Sequence, residues 1–123
     1  MAYINDKALD AALAVISVDT ENLYITSAEA TTYAEAQTTY KLGTKATPGF
    51  TGPANGDVSG RKTTINAITD GVVDATGTAS HWALCDNSAS KLLAAGPLAG
   101  TQAVTATNTF TLTAFDIEFP DPA

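Results

Sequence analysis

From Leu23 onward the chain is a succession of short segments rich in Thr, Val, Ile and aromatic residues, separated by Gly, Pro, Asn and Asp. That punctuation belongs to antiparallel β structure. The segments recur about every ten residues with hairpin-type connections and no interleaved helices. The predicted fold class is therefore mainly β, an antiparallel β-sandwich or strongly bent sheet, with a short N-terminal α-helix. At 123 residues the chain suits one domain. The expected division is a helix or docking segment over 1–18 and a β-sandwich domain over 19–123, carrying a long loop over 43–60.

The helix is read from Asn5 as N-cap, Asp6 in the first turn where the helix dipole favours an acid, and Leu9, Leu13 and Ile16 at helical spacing. So short a helix is marginal in water and must dock on its own sheet or on a neighbouring subunit. Leu23–Thr26 reads as a strand with Leu23 and Ile25 on one face. Thr31–Leu42 stays ambiguous between a strand and a helical turn. The 43–60 stretch, with Gly49, Gly52, Gly56, Pro48 and Pro53, reads as a long surface loop whose large apolar residues are Phe50 and Val58. Asp70-Gly71 between two β-prone runs predicts a tight hairpin. Ser80–Asp86 and Lys91–Ala95 predict a second hairpin through Asn87–Ser90, with Pro97 ending its ladder. Gln102–Thr105 and Thr109–Phe119 predict a third pair. In the last strand Phe110, Leu112 and Ala114 alternate in one phase and Phe115, Ile117 and Phe119 in the other, which predicts a bulge or sheet crossover near Ala114-Phe115.

The net charge of -7, with Arg61 the single arginine, argues against nucleic acid as a partner. No apolar run approaches the ~18 residues needed to span a bilayer, so no membrane partner is expected. The amino terminus lacks the pattern of a signal peptide, which places synthesis and assembly in a cytoplasm. Cys85 is the single cysteine, so no intrachain disulfide, CxxC pair or four-cysteine zinc site can form.

His81 and Cys85 fall on one face of a strand but some ~13 Å apart at about 3.3 Å per residue, too far for a nucleophile–base pair. Cys85 is better read as a small buried hydrophobe or subunit-interface residue. Trp82 and Leu84, on the other face, are expected to pack between sheets. The acids are scattered, without an EF-hand loop or D-x-D-x-D run. Asp116 and Glu118 share one side of the last strand, facing water or a basic partner. Gly60-Arg61-Lys62 lacks the order of a phosphate loop, and neither GxSxG nor HExxH occurs. No catalytic residue, cofactor or metal ligand is therefore assigned.

Three stretches carry a resemblance: Ile25 to Gly43; Gly60 to Gly71 running on to His81-Trp-Ala-Leu-Cys-Asp86; and Phe110-Thr-Leu-Thr-Ala-Phe-Asp-Ile-Glu-Phe119. Together they resemble a group of small tailed-phage and prophage virion structural proteins, over nearly the whole chain after about Leu9. Cys85, where a small or aliphatic residue is expected, and the tail from Pro120 to Ala123 depart from the pattern. The resemblance implies a non-enzymatic particle component, assembled in the bacterial cytoplasm and found in the virion. It would decorate the capsid or attach at the neck or tail, contacting the major capsid protein or neck and tail proteins. The expected contact residues are Leu9, Leu13 and Ile16 on the helix and Phe50 and Val58 in the loop, each of which serves equally as core. A homo-oligomer is expected, with a trimer preferred although nothing in the residues requires three copies. The competing class is a tail-tip receptor- or glycan-binding module using Tyr33, Tyr40 and Trp82 as aromatic platforms.

Overall fold

A computed structural model describes residues 4–57 and 59–120. Helix α1 (Asp6–Asp19) is followed by strands β1 (Asn22–Thr26), β2 (Lys41–Ala46), β3 (Phe50–Asn55), β4 (Arg61–Ile65), β5 (Ile68–Val73), β6 (Gly77–Asp86), β7 (Lys91–Val104), β8 (Thr109–Leu112) and β9 (Phe115–Phe119), with a single π-helical turn at Glu35–Thr39. A six-stranded sheet has the order β7-β6-β1-β2-β5-β8, and a three-stranded sheet has the order β3-β4-β9. Every strand pairing is antiparallel. The arrangement is the sandwich-like, mainly β fold that the strand punctuation predicts.

The main core lies between the two sheets. Leu23, Ile25 and Leu84 of the larger sheet meet Ile65 of the smaller one, and Phe50, Phe115, Ile117 and Phe119 close over them half-buried. Helix α1 covers one flank, contacting chiefly β4 and then β3. Its N-cap forms as expected, the Asn5 side chain accepting from the Lys7 backbone N–H at 2.8 Å. Arg61 of β4 holds the helix through Asp10, with Nε–Oδ1 at 2.7 Å.

The outer face of the larger sheet is covered as well, so β1 is buried on both sides. Tyr24, Ala83 and Cys85 pack beneath Ala30, Ala36, Tyr33 and Tyr40 from the segment between β1 and β2. The ambiguous stretch Thr31–Leu42 resolves into both alternatives, a wide helical turn and then the start of β2. Glu35 nucleates the turn: its carboxylate accepts from the Thr31 backbone N–H at 2.9 Å, while Thr32 Oγ1 accepts from the Glu35 N–H at 3.1 Å. This is the reciprocal logic of a capping box.

Four expectations are corrected, the last of them at Pro97. The long loop over 43–60 contains the end of β2 and all of β3; β3 is an edge strand held by its ladder to β4, so it needs backbone pairing and few large apolar side chains. The hairpin at Asp70-Gly71 does not form, because both residues lie within β5, and β4 and β5 belong to different sheets. Gly71 sits opposite Phe110, where a Cβ would come within 2.3 Å of the ring, and Asp70 pairs with Lys45 of the neighbouring strand. The glycine here serves close packing rather than a turn. The third pair also fails: the end of β7 pairs with β6, β8 pairs with β5, and β9 pairs with β4.

The hairpin through Asn87–Ser90 is present, and the phase change near Ala114-Phe115 is a crossover from one sheet to the other. Pro97 interrupts the β6–β7 ladder rather than ending it. Pairing breaks after His81↔Pro97 and resumes at Ala79↔Gln102, leaving residues 98–101 without partners in β6. Proline has no N–H to give the ladder, and the strand bulges where it occurs.

Candidate functional site

Strands β7 and β8 are the two outer edges of the six-stranded sheet, yet a four-residue turn, Thr105–Asn108, joins them. The sheet must curl until its edges face one another. The turn is fastened to the end of β5: the Val73 N–H donates to the Asn108 carbonyl and the Thr107 N–H donates to the Val73 carbonyl, both at 2.9 Å. One side chain crosses the seam, Gln102 Nε2 donating to the Thr111 carbonyl at 3.0 Å. Beyond it the edges part around a cleft of about 420 Å³, lined by Trp82, Pro97–Gln102 and Thr111–Phe115. Trp82 stands beside Phe115 of the smaller sheet, with ring centroids 4.8 Å apart and planes tilted by 37°.

The seam carries no charge. From Leu92 to Phe115, 24 consecutive residues, the sequence has no Asp, Glu, Lys, Arg or His. Sheet edges in soluble proteins are usually blunted with charges, bulges or proline. This one has the proline and the bulge and no charge. The charge-free run is visible in the sequence, and motif searching passes over it because it contains no reactive residue type.

Elsewhere, several of the charged groups are paired within the chain. Lys62 lies 2.7 Å from Asp57 and 3.1 Å from Asp116. The Thr64 hydroxyl, donating at 2.6 Å, and then the Lys62 ammonium hold the Asp116 carboxyl below its ordinary range. The basic group that Asp116 faces is thus the chain's own Lys62, and Arg61 is engaged by Asp10 and by Asn55 Oδ1 at 2.8 Å. The Glu21 carboxyl is likewise held low, first by the Ser88 backbone N–H that donates to it at 2.6 Å.

Cys85 is fully buried, and burial pushes its thiol up to about 11, so at neutral pH it is a protonated, unreactive side chain. His81 Nδ1 lies 2.7 Å from Ser80 Oγ, which also donates to the Ser27 carbonyl at 3.1 Å. Among the described residues no three His, Cys, Asp or Glu side chains converge to hold a metal ion.

Of the residues expected to make contacts, Leu9, Leu13 and Ile16 face inward and are buried in the protein's own core. Phe50 is half-buried against the main core, and Val58 lies outside the described residues. The aromatic platforms are likewise engaged in packing. Tyr33 and Tyr40 lie on the outer cluster, and Trp82 lies so close over Gly96 that a Cβ there would come within 2.8 Å of the indole. Compared with family models, curated proteins and solved structures, the chain finds no match.

Proposed function

We propose that this protein is a non-enzymatic structural component of a tailed-phage particle, an auxiliary protein that docks on the capsid surface or on the neck or tail through protein–protein contacts. The particle assignment rests on the resemblance of the three stretches. The observation that carries the mode of action is the uncharged seam of β7 and β8 on a molecule with net charge -7. Edge backbone groups pair with another extended polypeptide, and half-buried apolar side chains such as Leu98 beside the cleft supply the accompanying burial. An acidic body keeps copies apart elsewhere and leaves the uncharged edge as the face of least repulsion.

The test is to locate and count the chain in purified particles by electron microscopy and quantitative mass spectrometry. A decoration role gives on the order of hundreds of copies and a neck or tail role a few to a few tens, as the particle's symmetry dictates. Absence from purified particles overturns the assignment. Ala99→Lys, at an exposed position on the cleft wall, should lower particle binding while leaving the circular dichroism spectrum unchanged. Undiminished binding would remove the seam from the contact.

A further inference from the structure

Two bonds in the chain have the chemistry for attack of a backbone nitrogen on the preceding side chain: Asn55-Gly56, the single Asn-Gly, and Asp70-Gly71, the single Asp-Gly. Glycine matters because no Cβ shields its nitrogen. The fold treats the two bonds differently. Gly71 is buried beneath the Phe110 ring, and the Asp70 carboxylate, a poor electrophile, is tied to Lys45 at 3.0 Å. Asn55 is the exposed last residue of β3, an edge strand whose ladder to β4 is irregular between Thr51 and Ala54.

Two hydrogen bonds restrain the Asn55-Gly56 bond. Arg61 Nη1 donates to Asn55 Oδ1 at 2.8 Å and holds the amide across the ladder, and the Gly56 N–H donates to the Gly60 carbonyl at 2.9 Å. Both must break before the nitrogen can reach Asn55 Cγ, and the end of an edge strand opens at little cost. The glycine itself is fixed by packing. A Cβ at Gly56 would collide with the Ser59 carbonyl and the Glu118 carboxylate, so the fold requires the residue type that leaves this nitrogen unhindered.

We propose that Asn55 is a site of spontaneous deamidation in the folded protein, restrained by Arg61. The Gly56 nitrogen bonds to Asn55 Cγ, the Cγ–Nδ2 bond breaks, and the side-chain nitrogen departs as ammonia, taking up through solvent the proton that Gly56 gives up. Water then opens the five-membered imide at either carbonyl, leaving aspartate or isoaspartate. Either product sets a second carboxylate beside the guanidinium that holds Asp10 of α1. Isoaspartate also adds a methylene to the backbone and breaks the Asn55↔Arg61 register. The reaction depends on the β3–β4 hairpin and not on the particle assignment.

Incubation of the folded full chain at mildly alkaline pH, followed by tryptic peptide mass spectrometry with isoaspartate detection, tests it. Cleavage after Lys45 and Arg61 releases residues 46–61, in which Asn55 is the single asparagine. The expected result is a mixture of aspartate and isoaspartate at position 55, formed more slowly than in urea, with Asp70 unchanged. Arg61→Gln should speed conversion by roughly two- to tenfold, the worth of one hydrogen bond. Asp10→Asn, which unties the helix but leaves the Arg61–Asn55 bond, should not, so general loosening of the fold is told apart from loss of the restraint. A folded chain that stays intact at Asn55 while the urea-unfolded chain converts, a product containing aspartate alone, equal isoaspartate at Asp70, or an Arg61→Gln rate no faster than that of Asp10→Asn overturns the proposal.

Discussion

At Gly71 the backbone of β5 passes beneath the Phe110 ring, and a Cβ there would lie 2.3 Å from two of its carbons. Phe110 is almost fully buried in the main core, so it cannot swing into solvent to make room. Gly71→Ala should destabilise the protein by roughly 1–3 kcal/mol, the usual cost of overpacking, as measured by urea unfolding. The exposed neighbour Thr69 is the control: Thr69→Ala should change stability by no more than about 0.5 kcal/mol. The Asp-Gly pair reads locally as a turn because glycine tolerates positive φ. It also admits a ring at close range, and only the arrival of Phe110 from a distant strand selects the second use.

The elements repeat this division between local and distant causes. Leu13, 1% exposed, and Ile16 make α1 a layer of the core rather than an appendage. Leu13→Ala should therefore cost about 2–5 kcal/mol and lower the single cooperative transition of the whole protein. A separate early loss of helical signal with the β transition unmoved would contradict that placement. Amphipathic spacing identified the helix and its inner face correctly. It could not say whether that face meets the chain's own sheet or a neighbour's, since both bury the same side chains. Strand β3 was hidden for a related reason: five of its six residues are exposed, so it carries almost no hydrophobic pattern. Its strand character comes from the ladder to β4.

For the whole molecule, stability should fall at both ends of the pH scale. The carboxyls of Asp116, Glu21 and Glu35 titrate lower in the folded chain than in the unfolded one, because hydroxyl, ammonium and backbone N–H donors favour the charged form. The unfolded state therefore binds more protons near pH 4, and stability is lost as pH falls through the folded values. Cys85 acts in the other direction, its thiol raised to about 11 by burial. That stability is present below the ordinary thiol range and lost as pH rises toward 11. Urea midpoints across pH should show both declines, and Cys85→Ala should remove part of the alkaline one. An alkaline limb that Cys85→Ala leaves unaltered would mean that another group causes it.

Residue type and spacing alone determined the fold class, the helix with its cap and inner face, the Asn87–Ser90 hairpin and the change of sheet near Ala114-Phe115. Each is a local pattern of period, propensity or turn chemistry over a few consecutive residues. Only the tertiary structure decided that Asp70-Gly71 runs straight, that the edges β7 and β8 curl toward each other, and that the outer face of α1 is left uncovered. Those outcomes depend on which segments far apart in the chain share one core, and burial is settled by the whole assembly of elements rather than by any one of them.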